Sequence, residues 1–434
     1  MLDKQNHQTV FVSDEDFQIK TTRQSWIVIL TSSLFLIFQF VQMSLFDAIA
    51  IPLMNTFHID AVKLGDLSSY YFLSSIIFLF VAGIVLDRCS IKRVILVTMA
   101  ISIISIGLFS TVSTFELACF YRFLMGIANA FAFLAVVRLV MRWFPPQKIA
   151  FIIGVIISVG MIGGLLSQEP FTYLVEKFDW RMIMQLIAAL GIFFYVLIAC
   201  LVSDYPKSLT PIFQSEQAMM RQTSIRQTLT MSYCSFHNWL CGLCIALISL
   251  PVGILGGLWG VAFLMYVHDV SLIMASNITA ILFMGFMIAA PLAGWISDKI
   301  NRRRLPLLIG TIAALIVSVC LLLIPSPSYS TLMILFFLLG FFTGVQILGY
   351  PLIVENNSRL ISTLVLSVIS IAMQAAQGGF QIMFGYLLDE HMVLRIHALN
   401  IHFTSGDFYW AMWIFPIALL LAAMLIPFLR SKRS

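Results

Sequence analysis

Of 434 residues, 60% are hydrophobic and only 10% are charged, against about 25% charged in an ordinary soluble domain, so water cannot be the solvent for most of the folded surface. The formal charge of +5 does not call for nucleic acid, because the cations are scattered through short loops between apolar runs. Seven cysteines, an odd number lying mostly inside those runs, do not form a secreted disulfide framework and read as packing residues.

In chain order, residues 1–25 are polar and partly acidic (Asp14, Glu15, Asp16), with no apolar leader ahead of Trp26, which predicts a cytoplasmic tail. Twelve apolar segments of bilayer-spanning length follow, at 26–51, 66–86, 93–114, 117–141, 149–173, 180–203, 238–267, 272–297, 305–324, 331–354, 361–388 and 408–429. The longest polar stretch lies between the sixth and seventh. The expected organisation is an all-α membrane protein, with a six-helix bundle over 26–203, a central cytoplasmic loop over 204–232, a second six-helix bundle over 233–430 and a tail over 431–434.

Placing both termini inside puts nineteen of the basic residues in cytoplasmic segments and only Lys63, Lys177, Arg181 and Arg395 outside. That bias satisfies the positive-inside rule. It predicts a multi-pass protein of the bacterial inner membrane whose basic face meets anionic lipid.

One loop occurs twice. Gly83, Asp87, Arg88, Lys92 and Arg93 follow the second segment, and Gly294, Asp298, Lys299, Arg303 and Arg304 follow the eighth at an offset of 211 residues, close to half the chain. Parallel repeats of six spans are one way transporter halves are built. Each glycine lets a neighbouring helix approach, and each aspartate can pair with the loop cations or face a helix N-terminus.

At these residues the sequence resembles the major facilitator superfamily, whose loop between helices 2 and 3 reads glycine, three residues, aspartate, a base, then a basic pair. Arg122 to Gly126 with Asn129 and Ala130, and Asp179-Trp180-Arg181, are similar to further family motifs. Gly154, Gly160, Gly163 and Gly164 match the helix 5 antiporter motif only in part, since its proline is missing. The resemblance implies two pseudo-symmetric six-helix bundles, helices 3, 6, 9 and 12 at the outside, and loops that hold the cytoplasmic sides of the halves together in an outward-open state. The segment Gly257 to Gly260 is weakly similar to bacterial relatives of the lysosomal dipeptide transporter branch.

Ionisable residues inside a membrane are functional candidates. Asp47, Arg122 and Glu169 fall at similar depth near the outer ends of the first, fourth and fifth segments, which suggests a proton-coupling cluster. Arginine favours the ionised form of a carboxylate and burial the protonated form. A static ion pair is the competing reading. Arg138, sixteen residues after Arg122, is expected to snorkel to lipid phosphate.

The second half supplies amides. Gln374, Gln377 and Gln381 form one helical stripe, expected to face the central cavity or to bond between helices. Gln39, Gln42 and Gln346 are further cavity candidates. Pro251, Gly253, Gly256, Gly257 and Gly260 predict a kink or unwinding in the seventh segment, where Trp259 and Tyr266 can wall a substrate or pack in the core.

Cys241 and Cys244 have metal-pair spacing, but with only His237 nearby they read as packing. The sequence contains no Walker loop, catalytic triad or dinucleotide fingerprint. The expected function is therefore not enzymatic. It is secondary active transport of a small polar organic solute (an amino acid, short peptide or similar nutrient) by alternating access, as proton-coupled uptake drawing on the proton gradient, with no cofactor or metal. The protein is expected to act as a monomer in the bilayer. The alternatives are a proton-driven exporter of drugs, siderophores or metabolites, and a non-transporting sensor of the same fold.

Overall fold

A chain in lipid must satisfy its backbone polar groups internally, and for runs of this length the helix does so. The computed structural model describes residues 21–59, 61–206, 225–324, 326–357, 361–393 and 405–430. Among these residues, twelve helices are long and apolar enough to cross a membrane.

The first half contains span 1 (Arg23–Ala48, continued by the short helix Ala50–Phe57), span 2 (Ala61–Arg88), span 3 (Ile91–Phe109), span 4 (Phe115–Trp143), span 5 (Ile149–Lys177) and span 6 (Trp180–Leu201). After the short helix Ile225–Tyr233, the second half contains span 7 (Phe236–His268), span 8 (Leu272–Ile300), span 9 (Arg304–Leu323), span 10 (Tyr329–Glu355), span 11 (Ser362–Val393) and span 12 (Ser405–Phe428). With an even number of spans, both ends of the chain lie on one side, called here the terminal face. The capping residues Thr22, Ser90, Asp179, Ser271 and Ser328 open spans 1, 3, 6, 8 and 10 by accepting a first-turn amide.

The two halves repeat one packing plan. Span 1 lies against spans 5 and 6, span 2 against span 4, and span 3 against spans 4 and 6; in the same pattern span 7 lies against spans 11 and 12, span 8 against span 10, and span 9 against spans 10 and 12. The two most extensive contacts between the halves are span 5 with span 8 and span 2 with span 11. These are images of one another under the repeat. Spans 3, 6, 9 and 12 carry well-exposed apolar side chains, among them Val97, Ile104, Phe193, Ile316 and Met424, as a lipid-facing surface requires.

Span 7 is interrupted as Pro251 and its glycines predict. Pro251 removes a backbone donor, and a π-turn runs over Leu255–Trp259 before the helix resumes at Gly260. A Cβ at Gly260 would sit 2.0 Å from the Leu255 carbonyl oxygen, so the turn needs a glycine there. Span 10 is interrupted as well, by a tight 3-10 turn over Gly344–Leu348 that the sequence reading did not foresee.

Candidate functional site

The repeated loops lie at the terminal face, and each is seated on the first turn of a helix from the other half. In the first copy, a Cβ on Gly83 would stand 2.9 Å from Leu364 Cδ2 and 3.1 Å from Leu364 Cα, so span 2 rests directly on span 11. The Asp87 carboxylate, almost wholly buried, faces the backbone of Thr363 and Leu364 at the start of span 11. The partial positive charge of that helix end favours a carboxylate there.

The cation opposite Asp87 does not come from the loop. Arg138 of span 4 places Nη2 3.5 Å from Asp87 Oδ1, and its Nη1 donates to Ser362 Oγ across the halves. Arg138 therefore does not snorkel to lipid, and that expectation is corrected. A buried carboxylate and a serine at the start of span 11 hold the guanidinium inside, where leaving it would strand Asp87 without its charge partner. Lys92 uses its backbone N–H, which donates to Asp204 Oδ1 at 2.7 Å, Arg93 is exposed, and Arg88 is half-buried.

The second copy repeats the seating with different chemistry. A Cβ on Gly294 would lie 2.5 Å from the Ala150 carbonyl oxygen, and Asp298 Oδ2 accepts from the Phe151 N–H at 3.0 Å. Here the cation is the loop's own Arg303, fully buried. Its Nη1 donates to Asp298 Oδ1 at 2.6 Å and to Ser297 Oγ at 3.0 Å, while Nη2 and Nε reach Glu355 Oε1 at 2.9 and 3.2 Å. Glu355 escaped the sequence reading because its counterpart at the repeat offset is Phe144. Lys299 extends over the Trp295 ring at 5.0 Å, and Arg304 opens span 9 with a buried Nε that has no hydrogen-bond partner.

The seam continues inward from the terminal face. A Cβ on Gly154 would lie 2.4 Å from the Ala290 carbonyl oxygen, and Ser158 Oγ stands 2.6 Å from the Met287 carbonyl. Gly163 and Gly160 turn the other way, toward Ile37 and Leu36 of span 1. The span 5 glycines thus serve close helix packing on both sides. Phe80 stacks on Tyr233 with centroids 4.9 Å apart. The Tyr233 hydroxyl bonds Ser367 at 2.6 Å, and Phe133 meets Tyr350 at 4.7 Å.

Arg122, on the opposite side of the first half, is buried. Its guanidinium carbon lies 3.5 Å from the Phe46 ring centre and 4.4 Å from that of Tyr71, and Nη1 donates to the Gln42 carbonyl at 3.1 Å. Stacking on two rings stabilises a desolvated guanidinium. Asp47 follows Phe46 in the last turn of span 1, and Glu169 is two residues beyond Ser167, whose hydroxyl donates to the Gly163 carbonyl at 2.7 Å. The side chains of Asp47 and Glu169 lie outside the described residues.

Gln39 and Gln42 point into the first half, contrary to their expected place beside a central cavity. Gln39 Nε2 donates to Ser102 Oγ at 3.4 Å, the Tyr71 hydroxyl donates to Gln39 Oε1 at 3.5 Å, and Ser102 Oγ donates to Gln42 Oε1 at 2.9 Å. A buried amide needs hydrogen-bond partners, and here Ser102 of span 3 and Tyr71 of span 2 supply them.

In the second half, Gln377 packs on span 7. Its Nε2 donates to Ser249 Oγ at 3.5 Å, and a Cβ on Gly253 would collide with its amide at 2.8 Å. Gln374 Oε1 and Gln346 Oε1 are buried acceptors without a donor. Gln346 lies in the 3-10 turn of span 10. Trp259 lies in the span 7 π-turn, 5.6 Å from Phe384, which in turn neighbours Phe408 and Phe415. The Gln381 and Tyr266 side chains lie outside the described residues. Cys241 is buried with Sγ 3.8 Å from the Gly349 carbonyl.

Two six-helix halves, each seating a charged loop on a helix of the other, have the architecture of a membrane transporter. The family model of the Major Facilitator Superfamily matches residues 30–240 and 241–434, and the chain belongs to that family. It is 28% identical over 156 residues to the uncharacterized transporter YybO of Bacillus subtilis, covering 35% of this chain and 36% of that one. It is 24% identical over 175 residues to the hexuronate transporter of the same organism, covering 40% and 41%. These alignments span well under half the length of either relative. The membrane sensor protein UhpC of Salmonella typhimurium is 25% identical over 321 residues, covering 70% and 72%.

Among solved structures, the proton:xylose symporter XylE superposes with a TM-score of 0.73 at 15% identity, covering 95% of this chain and 98% of that one. FucP in the outward conformation gives 0.70 at 14%, covering 94% and 100%. At such identities the likeness is one of fold.

Proposed function

We propose that this transporter takes up a small polar organic solute by alternating access coupled to protons, with both termini cytoplasmic in a bacterial inner membrane. The observation that carries the reading is the placement of the paired loops. Both close the halves against each other at the terminal face, while the buried Arg122 sits in the opposite half of the first bundle. Gly83, Asp87, Arg88, Lys92 and Arg93 with Gly294, Asp298, Lys299, Arg303 and Arg304 then act as the gate. Asp47, Arg122 and Glu169 supply the proton site.

For the substrate, the donorless oxygens of Gln346 and Gln374 favour a solute rich in hydroxyl or ammonium donors, because a buried acceptor left unmatched is costly. The hexuronate transporter among the relatives directs attention to sugars and sugar acids ahead of the amino acids and short peptides also considered. Trp259, Gln377 and Gln381 line or support that site. Gln39 and Gln42, occupied within their own half, act through the packing of span 1.

The test is uptake into proteoliposomes with an imposed pH gradient, using a panel of hexuronates, neutral sugars, amino acids and dipeptides. Accumulation should collapse when the gradient is dissipated. Asp47→Asn should lose accumulation while keeping exchange of preloaded substrate. Gradient-independent accumulation, or full accumulation by Asp47→Asn, would sink the proposal. A second reading, a sensor that binds without moving its ligand, is favoured by the 70% of the chain that aligns with UhpC. Saturable binding with no flux of any bound compound would select it.

A further inference from the structure

Apart from the gate and the polar cluster, the terminal face of the second half holds a cavity of about 430 Å³ at the junction of spans 7, 9, 10 and 12. Its lining includes Ser235, His237, Arg304 and Arg430, with Asn238 and Asn357 behind them and no acidic residue. The asparagines are mutually satisfied: Asn357 Nδ2 donates to Asn238 Oδ1 at 2.9 Å, and Asn238 Nδ2 donates to the Ser232 carbonyl at 2.9 Å. Asn356 Nδ2 donates to the Arg430 carbonyl at 2.7 Å and fixes that residue at the rim.

The remaining donors are unspent. Arg304 Nε is buried without a hydrogen-bond partner. Neither guanidinium belongs to an ion pair among the described residues. His237 Nε2 accepts from the Arg430 N–H at 3.0 Å, which in the neutral ring leaves the proton on Nδ1 as a further donor. Both guanidiniums lie within electrostatic range of the same imidazole. Two cations, an N–H and a serine hydroxyl thus converge on one space whose lining residues include no carboxylate.

We propose that this cavity binds a phosphate oxyanion. Guanidinium forks match phosphate oxygens, and the first turn of span 9 adds the positive end of a long helix. Phe236 and Phe428, 79% and 72% exposed beside the cavity, offer an apolar flank of the kind that accompanies a lipid headgroup. The same donors also fit free inorganic phosphate. Arg304 adjoins Arg303, and Asn356 adjoins Glu355, so a bound anion braces the two elements that the Arg303–Glu355 bridge connects. The site is independent of the transport reading, since it requires neither a solute nor a proton gradient.

The test uses the purified full chain in two arms. In nanodiscs of neutral phosphatidylcholine, adding phosphatidylglycerol should raise the unfolding temperature. In detergent, inorganic phosphate is compared with chloride at matched ionic strength. A ligand that binds only the folded state raises its stability by mass action. Arg430→Gln, an exposed position, and Arg304→Gln should each weaken the response by about tenfold in effective ligand concentration, the size of one charge-assisted hydrogen bond. Arg302→Gln, an exposed cation on the same face, should leave it intact. A response in the lipid arm alone identifies a headgroup as the source, and a response to inorganic phosphate identifies the free anion. No response in either arm, or a response that Arg430→Gln and Arg304→Gln both retain, overturns the proposal.

Discussion

The two gate loops share a pattern of glycine, aspartate and bases, yet they solve the same electrostatic problem differently. Each places its aspartate at the start of a helix from the other half, Asp87 at span 11 and Asp298 at span 5. Asp87 takes its cation from Arg138 on span 4, whereas Asp298 takes Arg303 from its own loop and shares it with Glu355. The difference begins in the backbone. Ser90 is extended and caps span 3, which starts at once and carries Lys92 in its first turn. Its counterpart Asn301 adopts a left-handed conformation (φ 56°), which ends span 8 and keeps Arg303 ahead of span 9, free to fold back on Asp298. The repeat therefore conserves where the carboxylate goes and not where its partner originates.

The strongest way to break this comparison is to remove Arg303. Arg303→Gln leaves Asp298 and Glu355 facing each other across a space that had one cation, and removing one partner of a buried pair costs about 3–5 kcal/mol. The value should fall toward the lower end, because the Glu355 side chain keeps 18% of its exposure. Thermal unfolding of the second half is the readout, and a change within about 0.5 kcal/mol would mean that the bridge is decorative. Next in size is Arg138→Gln. A lysine- or arginine-like residue at the lipid surface is replaceable at little cost, but here the substitution strands Asp87 in a buried site, and we expect a loss of about 3 kcal/mol. Hydrogen exchange at residues 362–366 should accelerate with it. The double variant Arg138→Gln/Asp87→Asn should recover part of the loss, since it removes the stranded charge.

A smaller effect separates the glycines. Gly294→Ala forces a methyl to within 2.5 Å of a backbone carbonyl, while Gly83→Ala first meets the tip of Leu364 at 2.9 Å. Overpacking costs about 1–3 kcal/mol, with Gly294→Ala near the top of that range and Gly83→Ala near the bottom. Exchange at residues 149–153 and 362–366 reports each seam separately. Equal effects would show that the two copies are seated equally tightly.

Much of this arrangement is legible in the sequence, because spanning helices are dictated by apolar length and the repeated loops by residue identity. The twelve spans, the two halves and the break in span 7 all follow from hydropathy and from Pro251 with its glycines. The break in span 10 is less legible: Gly344 and Gly349 flank it and Pro351, which cannot donate to the Ile347 carbonyl, follows it, but the dense glycines of span 7 have no counterpart there. Partners were harder to read than elements. Arg138 reads as a lipid-facing cation until span 11 supplies Ser362 beside it. Gln39 and Gln42 read as cavity amides until span 3 supplies Ser102. In each instance the deciding contact is distant in the chain, and periodicity carries no information about which neighbour a polar atom will meet.

The smallest prediction is the most discriminating, because it concerns positions the repeat makes equivalent. Lys92 and Arg303 occupy the same place in the two loops. If loop sequence alone set the gate, neutralising either would have similar consequences. The geometry says otherwise. The Lys92 contact to Asp204 is made by the backbone N–H, which glutamine retains, and its half-buried side chain belongs to none of the ion pairs among the described residues. Lys92→Gln should therefore change stability by no more than about 0.5 kcal/mol and leave exchange at residues 362–366 unaltered. A loss comparable to that of Arg303→Gln would place the first copy's cation in its own loop after all and restore the symmetry that the structure denies.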